Sequence, residues 1–228
     1  MPRPIAVVTG ASRGIGRAIA LRLARDYAIV AVARSRDELN ALADEIARAG
    51  GSCQPRAIDI TDAEAVHAAL GDVDAQVLVN NAGIGILKPF MELGREEWRR
   101  MVDVNFNALY DVTRTVLPAM LRRRSGHVVV IGSISGRSAF VGGTCYAATK
   151  HAVMAFTECL MLEVRDAGVK VSVVCPGSVA THFSARSDPS WQLAPGDVAA
   201  AVAAVLDTPS DVLIHRVEIR TLTVPKSK

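Results

Sequence analysis

Short apolar runs alternate along the chain with longer stretches of helical period. The runs at 5–9, 28–33, 54–58, 76–80, 127–132, 170–175 and 212–219 predict strands. Several are rich in Val and Ile, as strands covered on both faces should be. Between them, apolar positions three and four apart predict helices over 14–26, 36–49, 62–70, 95–122, 145–167 and 196–207. Asp197, after Pro195-Gly196, reads as the start signal of the last helix. Strand and helix in steady alternation imply an α/β fold: one doubly wound parallel sheet with helices on both faces. No linker, low-complexity segment or repeat divides the chain, so 1–228 reads as a single domain. The tail Pro225-Lys226-Ser227-Lys228 is expected to fray.

Composition narrows the function classes. With 228 residues, 50% of them hydrophobic, the chain can bury a core without help from disulfides or metal. Cys53, Cys145, Cys159 and Cys175 stand far apart with no C-x-x-C, and the five histidines form no ligand pair. A disulfide framework or a zinc site is therefore not expected, and a reducing cytoplasm is the simplest setting. A net charge of +3 and 4% aromatic residues argue against a nucleic-acid partner. The densest basic run, Arg122-Arg123-Arg124, falls where a helix should end and where cations complement the helix dipole. No apolar run reaches membrane-spanning length, and Met1-Pro2-Arg3-Pro4 leads into a strand rather than a signal peptide.

The first candidate chemistry follows the first strand. Thr9-Gly10-Ala11-Ser12-Arg13-Gly14-Ile15-Gly16 joins that strand to the first helix. Glycines at 10, 14 and 16 allow a tight turn and close approach of a ligand, and the helix start offers N–H groups to a pyrophosphate. The spacing differs from G-x-G-x-x-G, and a purely structural turn is the competing reading. A 2′-hydroxyl would call for a carboxylate at the end of the second strand. The chain instead reads Ala33-Arg34-Ser35-Arg36, with no acid before Asp37. Arg34, Arg13 and Ser12 suit a 2′-phosphate, which favours NADP over NAD. The bland alternative is solvated surface arginines.

Tyr146 and Lys150 stand four apart on a predicted helix and share a face. A nearby ammonium should favour the phenolate and ease proton exchange. The pair has company: Asp59, Asn80-Asn81-Ala82-Gly83, Asn105, Ser133, Tyr146-Ala147-Ala148-Thr149-Lys150 and Pro176-Gly177. With Thr9–Gly16, this ordered set closely resembles the short-chain dehydrogenase/reductase family over roughly residues 5–207. The resemblance implies a Rossmann-type sheet and a nicotinamide cofactor, NADP(H). It implies a catalytic set of Asn105, Ser133, Tyr146 and Lys150. Tyr146 would exchange the proton, and Ser133 would hold the substrate oxygen. Lys150 would grip the nicotinamide ribose and lower the Tyr146 pKa, while Asn105 would position a water. Gly10, Ser12, Arg13, Gly14, Ile15 and Gly16 would cradle the cofactor with Arg34, Asp59, Asn81, Ala82, Gly83, Pro176, Gly177 and Thr181. In the family pattern, helices 95–122 and 145–167 pair across a two-fold axis. A homotetramer or homodimer follows, with Val102, Phe106, Leu109, Val153, Phe156 and Leu160 as candidate contacts.

The chain also departs from the pattern. The stretch from Thr181 to Pro195 is short for a substrate lid, and the Asp-Gly-Gly ending of many relatives is missing near Val217-Glu218-Ile219-Arg220. Gly85-Ile86-Leu87, Ile134, Val141 and 178–190 are candidate pocket walls, equally credible as packing or loop residues. The expected substrate is a small carbonyl or alcohol, or an acyl thioester as in the 3-oxoacyl-(acyl-carrier-protein) reductases. An NADP-sensing regulator is the non-enzymatic alternative, against which the intact proton-handling set argues. Cys145 reads as a buried neighbour of Tyr146.

Overall fold

The computed structural model describes residues 3–181 and 189–223. Seven parallel strands run in the order β3-β2-β1-β4-β5-β6-β7. They are β1 (Ile5–Thr9), β2 (Ala28–Ala33), β3 (Ser52–Ala57), β4 (Ala75–Asn80), β5 (Gly126–Ile131), β6 (Val169–Pro176) and β7 (Arg216–Ile219). The order reverses between β1 and β4, and ligands of such sheets bind at that switch, beyond the strand C-termini. The expected α/β architecture is thus present, and the switch places Thr9–Gly16 beside Asn80–Gly83.

Two helical layers cover the sheet. Helices α1 (Gly14–Leu23), α2 (Arg36–Arg48) and α7 (Pro195–Leu206) bury Ile19, Leu39, Leu42, Ile46 and Val202 on one face. On the other, α3 (Ala63–Leu70), α5 (Ala108–Arg123) and α6 (Thr144–Val164) bury Val66, Leu70, Val112, Val116, Met120 and Val153. Central strands are apolar on both sides, as β4 shows with Val77, Leu78 and Val79 at 3% exposure or less. The edge strand β3 is half-exposed and tolerates Pro55, because an edge has one unpaired side. Among the described residues no helix is long and apolar enough to cross a membrane.

Several boundaries differ from expectation. The single helix predicted over 95–122 is two: α4 (Arg95–Val102) and α5, joined by a π-helical segment at Asp103–Asn107. Its apolar spacing continues smoothly through 103–107, so periodicity carries no mark of the wider turn. The first helix ends at Leu23 rather than 26, and β7 is confined to Arg216–Ile219 rather than 212–219. Helix α6 closes at Val164, with a 3-10 turn at Arg165–Ala167. Asp197 lies inside the first turn of α7, where its carboxylate accepts from the N–H of the capping residue Ala194 at 2.8 Å, so it marks the helix start from within the helix. The tail at 225–228 and the middle of the predicted lid lie outside the described residues.

Candidate active site

The turn after β1 is built by contacts that leave no room for side chains. Gly10 has φ +66, and a Cβ there would stand 2.8 Å from the Asn81 amide and 2.9 Å from Ala82 Cα. Gly14 has φ +56, where a Cβ would stand 3.3 Å from the Thr181 methyl, and Gly16 packs against the Gly10 carbonyl. The Asn81 amide donates to the carbonyls of Thr9, at 2.9 Å, and Gly10, at 3.3 Å. The Thr9 hydroxyl accepts from the N–H groups of Asn81 and Ala82, at 3.0 and 3.1 Å. One hydroxyl and one amide thus rivet the turn of β1 to the end of β4. Thr9 carried no role in the sequence reading; a hydroxyl at the last position of a central strand was its only signal.

The N-terminus of α1 has no side-chain cap and no acid in its first turn. Its orphan N–H groups and positive dipole end fit an anionic ligand lying over a glycine turn. Arg13 and Arg34 are exposed there, with Ser12 and Ile15 half-buried. Arg34 reaches Asp59 at 4.0 Å. Asp59 also accepts from the Thr61 N–H and hydroxyl, at 3.0 and 2.8 Å, and these bonds hold its carboxyl below the usual range. Both side chains that could read the adenosine end are therefore on one edge, across β2 and β3.

The second half of the site surrounds Lys150, which α6 carries into the core beneath Tyr146. The Lys150 ammonium donates to the Ile131 carbonyl at 3.0 Å and lies 5.9 Å from the centre of the Tyr146 ring. Burial pushes its pKa down to about 8, opposed by Cys175. The Tyr146 hydroxyl lies beside the side chain of Ser133, and Ser133 Oγ accepts from the Ser135 N–H at 3.1 Å. Burial pushes the phenol upward, with the Ser133 side chain pulling the other way. The downward tuning by Lys150 expected from the sequence is thus not the dominant influence in the protein alone.

Asn105 sits in the π segment and is buried. Its Oδ1 accepts from the Ile84 N–H at 2.8 Å, while its Nδ2 donates to the Ile84 carbonyl, at 2.9 Å, and Thr149 Oγ1, at 3.1 Å. The amide is therefore spent clamping the loop after β4, whose Gly83 lies against Asn105 and Lys150. A cavity of about 20 Å³, lined by Thr9, Asn80, Asn105 and Lys150 among others, adjoins the ammonium. That is room for one water. Pro176 ends β6, and the Gly177 N–H donates to the Ile219 carbonyl at 2.8 Å.

The structure therefore brings Ser133, Tyr146, Lys150 and Asn105 together beside the glycine turn, with Thr181 over Gly14. Sequence reasoning missed Thr149 and Ile84 as partners of Asn105. It also missed Cys175, which is buried under the same corner with its Sγ 3.4 Å from Met154 Sδ.

Three comparisons place this geometry. The family model described as short chain dehydrogenase matches residues 4–191. An uncharacterized oxidoreductase of Staphylococcus aureus is 36% identical over 226 residues, covering 95% of this chain and 96% of the relative. A 3-oxoacyl-(acyl-carrier-protein) reductase of Vibrio harveyi is 36% identical over 186 residues, covering 79% and 75%. Among solved structures, an alcohol dehydrogenase from Thermococcus sibiricus, complexed with 5-hydroxy-NADP, superposes with a TM-score of 0.91 at 33% identity. That match covers 99% of this chain and all (100%) of the other.

Proposed function

Because the chain belongs to the short-chain dehydrogenase family, we propose that it is an NADP(H)-dependent oxidoreductase interconverting a carbonyl compound and a secondary alcohol. The observation that carries this reading is Tyr146 beside Ser133 and 5.9 Å, ring centre to nitrogen, from a buried ammonium, with an uncapped helix start in the same site. The residues fit a nicotinamide dinucleotide: the first turn of α1 carries no side-chain cap and no acid, which leaves its N–H groups and positive dipole end to a pyrophosphate. Gly10, Ser12, Arg13, Gly14, Ile15 and Gly16 would hold its pyrophosphate half, Arg34 its 2′-phosphate and Asp59 its adenine. Ala82, Gly83, Pro176, Gly177 and Thr181 would border its nicotinamide half. When bound, the cofactor supplies or accepts the hydride.

The chain's own residues manage everything else. Ser133 donates to the substrate oxygen and holds it within reach of Tyr146, strengthening its grip as negative charge builds there. Tyr146 gives its phenolic proton to that oxygen in the reductive direction and takes it back in the oxidative one. An ammonium as buried as Lys150, with a pKa near neutrality, can return the proton to Tyr146 and be recharged through the small cavity beside Asn105. Asn105 fixes the wall of that route by holding Ile84.

A thioester-borne 3-oxo group is a second substrate class, supported by the similarity to the V. harveyi reductase. The test is NADPH consumption with a carbonyl panel that includes a 3-oxoacyl thioester. Tyr146→Phe should cut turnover by roughly 10²–10⁴-fold with NADPH affinity little changed. Wild-type turnover in that variant would overturn the mechanism. NADPH binding without turnover of any carbonyl would favour a sensor.

A further inference from the structure

The first turns of α6 carry two adjacent stripes of side chains. Tyr146 and Lys150, four apart, make the one that serves the site; Cys145 and Thr149, also four apart, make its neighbour. The second stripe is bonded to the run of α4, the π segment and α5. The Cys145 thiol donates to the Trp98 carbonyl on α4 at 3.7 Å, a weak contact. The Thr149 hydroxyl does more. It donates to the Tyr146 carbonyl at 2.8 Å and accepts from Asn105 Nδ2 at 3.1 Å. Asn105 is in turn held by both the N–H and the carbonyl of Ile84.

A buried threonine in a helix can be an ordinary core residue whose hydroxyl only bonds back to the preceding turn. Helix α6 contains such a residue for comparison. Thr157 is fully buried and gives its proton to the Val153 carbonyl at 2.7 Å, with no bond to another element among the described residues. Thr149, 4% exposed, uses its proton and a lone pair together. With its one proton spent on Tyr146, the hydroxyl can only accept from Asn105. That direction agrees with the one Ile84 imposes on the Asn105 amide. A chain of directed bonds thus runs from the loop after β4, through Asn105 and Thr149, to the backbone of Tyr146. Lys150 has a separate anchor, the Ile131 carbonyl at 3.0 Å.

We propose that Thr149 is a positioning residue for proton transfer: through its hydroxyl, the Asn105–Ile84 clamp sets where the Tyr146 phenol stands in the site. The inference rests on the oxidoreductase reading, in which Tyr146 exchanges the proton, and adds to it a residue that acts only through Tyr146.

Thr149→Val keeps the shape of the side chain and removes both bonds. With a ketone and NADPH, kcat and kcat/KM should fall together, by about tenfold to a hundredfold, as for a proton donor held out of place. NADPH affinity should hold, because Lys150 keeps its own anchor. Thr149→Ser, which restores the hydroxyl without the methyl, should recover most of the rate, and Thr157→Val should leave the rate unchanged. Asn105→Ala should lower kcat less in the Thr149→Val background than in the wild-type chain, because both changes cut one chain of bonds. A second readout needs no substrate. The chain has three tyrosines, Tyr27, Tyr110 and Tyr146. Isotope labelling at the phenolic carbon gives one NMR signal for each, and Tyr146→Phe identifies the one of interest. In the cofactor-free Thr149→Val protein that signal should move or broaden while the other two stay, and in Thr149→Ser it should return. If Thr149→Val does not fold, Thr149→Ala takes its place in the same comparison with Ser. Wild-type turnover in the Val variant, a Ser variant no faster than Val, or losses that simply add would overturn the proposal and leave the oxidoreductase reading in place. If the wild type turns over no carbonyl, that reading fails. An unmoved Tyr146 signal would then sink the positioning role with it, whereas a moved signal restored by Ser would leave the link from Thr149 to the phenol standing.

Discussion

At the scale of single residues, the site turns on two groups whose protons are displaced by burial. Lys150 has a folded-state pKa of about 8 against an ordinary 10.5. Between those values the unfolded chain binds more protons than the fold, so stability rises with pH across that window. Below about pH 8 the fold carries the full cost of a buried ammonium, on the order of 3 kcal/mol. Lys150→Met should therefore raise the urea midpoint of the cofactor-free protein at pH 7, with the lead shrinking towards pH 10.5, while turnover is lost. A Met variant less stable than wild type at pH 7 would contradict this. Arg34 poses a different question, since it already has Asp59 as a partner 4.0 Å away across exposed surface. So loose and solvated a pair is weak, and a 2′-phosphate with its two charges should displace it. NADPH should raise Tm more than NADH at equal concentration, and Arg34→Asp should erase or reverse that order. Equal stabilisation of the wild type by both cofactors would sink the NADP assignment. Both residues were legible in the sequence, Lys150 from its spacing to Tyr146 and Arg34 from the missing acid after β2. What each touches was not, because Ile131 comes from β5 and Asp59 from the loop after β3.

At the scale of elements, the break between α4 and α5 matters most. The sequence Asp103-Val104-Asn105-Phe106-Asn107 keeps helical spacing on either side, so nothing local distinguishes a π turn from an α turn. The wider turn is selected by tertiary bonds: Asn105 must reach both polar groups of Ile84 and the hydroxyl of Thr149. Segments of this type recur at functional sites because they re-aim a side chain at the expense of a regular ladder. Asn105→Ala would leave the Ile84 N–H and carbonyl without these partners, at a cost of about 1–3 kcal/mol for each buried group. Tm should fall by several degrees, about 2–4 °C per kcal/mol for a chain of this size. Turnover should fall with it, because Gly83 and Ile84 would no longer be held against Lys150. Unchanged Tm and turnover together would show that the clamp holds nothing. Edges behave differently from the centre. The strands β1, β2, β4, β5 and β6 were readable as apolar runs, whereas β7 has alternating exposure and only four residues, so its start was misplaced at 212.

At the scale of the whole molecule, the question is what α5 and α6 do with the faces turned away from the sheet. Leu109 and Val153, expected as contacts between copies, are buried within one chain's core. Phe106 and Phe156 meet edge to face, with ring centres 6.3 Å apart, in the same chain. Those four side chains thus serve the single subunit at least in part. What remains is better placed: Tyr110 on α5 and Leu162 on α6 are each about half-exposed, at 51% and 53%. A large apolar side chain exposed on each of these two long helices leaves outward surface suited to a two-fold interface, where a surface meets its own copy. Sedimentation at micromolar concentration should therefore give a dimer or tetramer of the 24.2 kDa chain. Leu162→Lys, which places a charge on the outward side of α6, should shift the distribution to the single chain without unfolding it, since the position faces outward. A wild-type protein that sediments only at the mass of one chain would refute the assembly, and would leave Tyr110 and Leu162 as ordinary exposed residues.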